Sequence, residues 1–325
     1  MIIRPSVLLE VRILRTLILL IACATCSLIG TEAQDLAPRA YVVAPTHFNA
    51  VTFTYSYSSG GVELNGIVPS PDASGQLHTQ IVTYFHTLNF FGRSANVSAS
   101  LPYGISDTHG TLFSSETNAH RSGLFAPIFR FSVNLLGGPA MDTPKFRKWR
   151  QKNILGVSIR VVPPLGQYDP TKLINLGANR WSFKAELGYS RRLGRWLVDA
   201  YGGAWFFTTN SDYFSRNQYF PGTNKQSQQP MGSFESHLSY DVTPRLWASL
   251  DGNFWYGGRT TRNGVENPVT LQKNSRIGGT VSFPVPRTKR QSLKFSCSSG
   301  AYVHFGGDFT TVALAWQYSW LGRPN

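Results

Sequence analysis

Residues 180–190 read RWSFKAELGYS. From Trp181 to Tyr189 the odd positions (Trp181, Phe183, Ala185, Leu187, Tyr189) are apolar or aromatic, whereas Ser182, Lys184, Glu186, Gly188 and Ser190 are polar or tiny. Successive side chains of a strand point to opposite faces, so this stretch is a strand with one apolar face and one charged face. The design recurs. In SFESHLSYDV (233–242), Phe234, Leu238, Tyr240 and Val242 oppose Ser233, Glu235, His237, Ser239 and Asp241. In TVALAWQYSW (311–320), Val312, Leu314, Trp316, Tyr318 and Trp320 share one face. VTFTYSYS (51–58), SANVSASL (94–101), SRIGGTVSFP (275–284) and SLKFSCSSGAYV (292–303) continue the pattern, so the chain reads as mainly antiparallel β.

Strands are expected near 50–58, 76–89, 94–102, 122–136, 153–162, 180–190, 196–208, 231–241, 246–257, 275–284, 291–301 and 308–320. Tight links at 92–93, 193–195, 242–245 and 284–286 alternate with long polar loops at 59–75, 103–121, 163–179, 209–230 and 258–274. Short turns at one end, long loops at the other and an even strand count describe an all-β fold: a closed antiparallel transmembrane β-barrel of about 12 strands, with short periplasmic turns and long extracellular loops. The barrel spans residues 50–320, its apolar face meets lipid, and its charged face lines the lumen. Closure leaves no unpaired edge in hydrocarbon.

Composition agrees. The 325 residues hold 31 Lys+Arg against 17 Asp+Glu, a net charge of +14 that suits the phosphates of outer-membrane lipids and lipopolysaccharide. The 13% aromatic content suits a belt at the membrane–water interface. The basic residues form no compact stripe or recognition motif, which excludes nucleic acid as the partner. Residues 1–33 read as a secretory signal peptide: Arg4, Arg12 and Arg15, then the short apolar core TLILLIACATCSLIG (16–30), then a small-residue cleavage site before Gln34. Residues 34–49 follow as a periplasmic N-terminal segment and 321–325 as a C-terminal tail, in a protein of the bacterial outer membrane. Cys23 and Cys26 lie in the signal, so Cys297 alone offers neither an internal disulfide nor a zinc site.

The stretch LGGPAMDTPKFRKWRQKN (136–153) is long for a periplasmic turn. Asp142 or Thr143 could cap a helix starting at Pro144, placing a basic amphipathic helix on the inner-leaflet surface; the other reading is a solvated charged loop.

The runs PPLGQYDPTKLINLGANRWSFKAELGYSRRLGRW (163–196), FGRSANVSASLPYG (91–104), RSGLFAPIFRFSVNLLGGPA (121–140), GGRTTRNGV (257–265) and GGDFTTVALAWQY (306–318) closely resemble the outer-membrane barrels labelled "meta-pathway of phenol degradation". The resemblance spans nearly the whole chain after the signal. It implies a β-barrel, passage of a small organic molecule and insertion by the barrel-assembly machinery. Two departures stand out: Phe125-Ala126 replaces the Gly-Asp pair that family members usually carry before the proline, and the chain runs on past its terminal aromatic to Asn325.

No hydrolase elbow, zincin, phosphate-loop or dinucleotide signature is present, so no catalytic, cofactor or metal residue is expected. Ser239 beside His237 is the one tempting pair. Strand parity points Arg130, Arg160, Lys184, Glu186, Asp199, Glu235, His237, Asp251, Arg276 and Lys294 into the lumen. Two readings follow: cross-strand ion pairs that fill a narrow barrel, or a polar constriction that selects what passes. The function expected is a channel for passive passage of small, aromatic or hydrophobic organic molecules; the alternative is a non-conducting structural or adhesive barrel.

Overall fold

The computed structural model describes residues 37–63, 73–112 and 115–322. The expected signal peptide and the last three residues lie outside the described residues. In chain order the strands are β1 (Phe48–Glu63), β2 (Ser74–Phe90), β3 (Arg93–Leu112), β4 (Ser115–Leu124), β5 (Ile128–Leu136), β6 (Asn153–Val162), β7 (Ser182–Leu193) and β8 (Trp196–Phe207). They continue as β9 (Gln226–Gln228), β10 (Met231–Thr243), β11 (Leu246–Gly257), β12 (Thr260–Arg262), β13 (Val265–Asn267), β14 (Gln272–Pro284), β15 (Gln291–Tyr302) and β16 (Gly306–Leu321). Neighbours pair antiparallel, and β1 pairs with β16 from Phe48↔Leu321 to Glu63↔Gly306, which closes the sheet. Because β4 and β5 occupy one position beside β3, the closed wall has 12 staves.

The alternation read from sequence becomes inside and outside. Leu187, Leu238 and Leu314 are 51%, 42% and 50% exposed on the outer wall, while Lys184 and Glu235 on the same strands as two of them are 3% and 2% exposed. Among the described residues no helix is long and apolar enough to cross a membrane; the strands do so.

The strands reach into two of the expected loops. β1 runs to Glu63 and β2 begins at Ser74, while β3 and β4 form one tall hairpin across most of 103–121. Polar residues on both faces hid these extensions in the sequence, since backbone pairing outside the membrane needs no apolar face. The expected strand 122–136 is broken at Phe125–Pro127, where proline removes a ladder donor. Above the break, among the described residues, β4 has no strand on its far side, because β6 stops at Val162. The loop 163–181 covers that edge: Gln167 N–H donates to Leu124 O at 2.8 Å, and Arg121 Nε to Ile174 O at 2.9 Å. Gly166 and Gly177 let its backbone lie flat, since a Cβ on Gly166 would come within 2.6 Å of Ala126 N. In that loop Asp169 accepts from the Thr171 N–H and hydroxyl, which hold its carboxyl below the usual carboxylate range.

Short turns occupy the other end. Phe91 and Gly92 both take positive φ (49° and 80°), the two-residue turn that matches hairpin twist. Between β5 and β6 lies α1 (Thr143–Lys148), with Pro144 in its first turn and Asp142 capping Lys145 N–H at 3.0 Å. Its aromatics are not spread on a lipid surface: Phe146 and Trp149 pack, partly buried, against a cluster of Tyr41, Val43, Met141, Ile154 and Tyr201.

Candidate functional site: the lumen and its periplasmic closure

The lumen has two unlike sides. Over β5 to β11 it holds long charged groups. Over β15, β16 and β1 to β3 the inward positions are mostly small: Ser296 and Ser298, Ala313 and Ala315, Thr52, Thr54 and Ser56, Ser98 and Ser100. The bulkier exceptions include Leu77, Ile81, Phe85, Pro102, Phe309 and Gln317, with Lys294.

On the charged side the ten expected residues divide. Lys184 is the hub, with Nζ 2.6 Å from Glu186 Oε2 and 2.7 Å from Glu235 Oε1. Arg130 Nη2 stands 3.6 Å from Glu186. His237 Nδ1 bonds Asp251 at 2.9 Å and its Nε2 lies 3.8 Å from Glu235; Ser249 and Thr280 donate to the other Asp251 oxygen. Asp199 accepts from Ser190 at 2.5 Å. Arg276 belongs elsewhere, reaching over β15 to Phe309 O at 2.8 Å and Thr311 Oγ1 at 3.0 Å. Lys294 is opposite Ser282 and Ala315 on the small-residue side and is exposed. Ser239 is fully buried and its hydroxyl makes no bond to His237.

Like and unlike charges both meet across this wall. Arg130, Arg160 and Lys184 stand directly abreast on β5, β6 and β7, and their pairing runs along a strand (Lys184 with Glu186) or across an intervening stave (Arg130 with Glu186, Lys184 with Glu235), whereas His237 and Asp251 pair directly between neighbouring β10 and β11. Lys184 and Glu235, which meet end to end, are separated by β8.

The periplasmic closure was not legible in the sequence. Residues 37–47 cross the mouth of the barrel. At one side Pro45 O accepts from Thr87 Oγ1 at 2.5 Å. At the other, Arg39 Nη2 meets Asp241 Oδ1 at 2.7 Å and the guanidinium carbon lies 4.2 Å from the centre of the Trp247 ring. Between them Tyr41, 1% exposed, donates to Glu186 Oε1 at 2.9 Å with Ser158 Oγ 3.1 Å away, and packs edge-on against Tyr201. Its ring fills a slot left by the cross-strand pair Gly156 and Gly188, where added Cβ atoms would come within 2.3 and 2.0 Å of it. Two inward glycines abreast in adjacent staves were the signal available in the sequence.

On the extracellular side of Lys184 lies a cavity of about 330 Å³. Arg160, Arg180, Lys184 and Glu235 are its charged lining, with Trp205, Phe207 and Trp255 as its rings. Among the described residues no cluster of side chains could hold a metal ion.

A closed 12-stave barrel with an apolar outer band and a polar interior is a transmembrane barrel of the bacterial outer membrane. The chain belongs to the family described as "Putative MetA-pathway of phenol degradation", which it matches over residues 51–314. Its fold is similar to that of the COG4313 outer membrane channel from Pseudomonas putida F1, with a TM-score of 0.71 at 18% identity over 88% of this chain and 100% of that one. The β domain of the Bordetella autotransporter BrkA gives 0.48 at 10% identity over 85% and 100% of the two chains. The transport unit of AIDA-I from Escherichia coli gives 0.49 at 11% over 88% and 93%. No curated protein matches in sequence.

Proposed function

We propose that this barrel is a passive channel for small organic molecules, aromatic or hydrophobic ones among them, and not an enzyme. The unequal lumen supports the reading: ion pairs brace one side while mostly small side chains line the other, the side on which a solute would pass. The exposed Lys294 on the small-residue side supports it, as does the outer-membrane channel with the same fold. The N-terminal segment is then a restriction at the periplasmic mouth. Proteoliposomes carrying the protein should swell in a small neutral solute such as glycerol faster than protein-free vesicles.

A second reading, a non-conducting structural or adhesive barrel, is favoured by one observation: residues 37–47 span the mouth with Tyr41 almost fully buried. Folded protein that permits no swelling would select it.

A further inference from the structure

We propose that the cavity on the extracellular side of Lys184 is a binding site for a single-ring aromatic carboxylate. The inference deepens the channel reading by naming a solute class, and rests on that reading only for the route by which the ligand leaves.

Charge is the first observation. Arg160, Arg180 and Lys184 line the cavity beside one carboxylate, Glu235, and Arg130 stands next to Arg160 outside the lining. Lys184 pairs with Glu186 and Glu235, Arg180 donates to Gln228 Oε1, and the further contacts of Glu235 are with His237, itself held by Asp251. Three of the cations stand abreast on neighbouring strands, an arrangement that costs stability in a site of reduced dielectric. A bound carboxylate relieves that repulsion, and guanidinium groups match its two oxygens.

Ring geometry is the second. Trp205 and Phe207 are successive inward residues of β8, their planes 6° apart and their centres 6.3 Å apart. Cations lie over these same rings: Arg180 is 4.5 Å from the centre of Phe207, and Arg160 and Lys184 are 5.8 and 5.9 Å from that of Trp205. Trp255 adds a third ring, its indole N–H committed to Gln272 at 2.9 Å. A flat ring therefore finds aromatic walls while its carboxylate reaches cations anchored against those walls. An aliphatic acid would use only the charge, and a neutral aromatic only the rings.

Isothermal titration of the purified, detergent-folded barrel with benzoate, benzamide and acetate tests this, with swelling measured on the same preparations. Benzoate should bind saturably, about tenfold or more tightly than either of the others. Arg180→Gln, at the cavity rim, should lose most of that preference, Arg180→Lys should restore part of it, and Phe207→Leu should weaken benzoate but not acetate. Equal binding of benzoate and benzamide, no saturable binding, or an Arg180→Gln variant that still prefers benzoate would overturn the site. Swelling is read separately: vesicles that swell without benzoate preference defeat this inference alone, while benzoate preference without swelling upholds the site and defeats the channel reading.

Discussion

Tyr41 lies where two neighbouring staves have given up their side chains. Its ring occupies the space of Gly156 and Gly188, and its hydroxyl ties the N-terminal segment to Glu186, the same carboxylate that anchors Lys184. Closure and charge network therefore share an atom, Glu186 Oε1, which accepts from Tyr41 and faces Arg130. A side chain at Gly188 cannot coexist with the ring, so Gly188→Val should displace the segment and raise the leak of reconstituted vesicles. Gly202→Val is the control: on the outer wall opposite Leu187, its Cβ meets nothing within 4 Å, and it should leave the leak unchanged. Tyr41 itself could not be singled out from sequence. Its contacts lie 117 and 145 residues away, and no local period encodes them.

Strand parity was legible because lipid imposes it on every stave. The apolar faces of 180–190, 233–242 and 311–320 all turn outward. What lipid does not touch was harder to read: the tall β3–β4 hairpin is polar on both faces, and the break at Pro127 looked like one strand. Helix α1 was legible from Asp142 and Pro144, but the destination of Phe146 and Trp149 was not, since an apolar face looks the same whether protein or lipid covers it. Parity also makes a direct prediction. Leu187→Arg, on the outer wall near mid-membrane, should cost about 2–4 kcal/mol in refolding into lipid, because hydrocarbon solvates the charge poorly. Thr54→Arg, pointing into the small-residue side of the lumen, should cost much less; equal costs on the two faces would contradict the assigned register.

The ten charged residues expected in the lumen are drawn into different tasks once the barrel closes. Lys184, Glu186, Glu235, His237 and Asp251 form the brace, Arg276 ties strands near the rim, and Lys294 stands on the open side. Sequence parity placed them on the inner face but could not tell which would meet, because Lys184 and Glu235 belong to strands separated by another. Replacing Glu186 and Asp199 with Gln and Asn should loosen the brace and the N-terminal segment together, and shift ion selectivity towards anions as Arg130, Arg160 and Lys184 lose counter-charge. Reversal potentials in a salt gradient measure that shift, and an unchanged potential in the folded variant would show that these groups do not line the limiting part of the path.

The central claim is that a path runs beside the network and that residues 37–47 restrict it at the periplasmic mouth. Planar-bilayer conductance of the wild type and of Arg39→Ala/Tyr41→Ala, each checked for folding by heat-modifiable mobility, measures this most directly. The account predicts a small conductance for the wild type and a several-fold larger one for the double variant, whose segment has lost its contacts to Asp241 and Glu186. A folded double variant that conducts no better than bare lipid would contradict it.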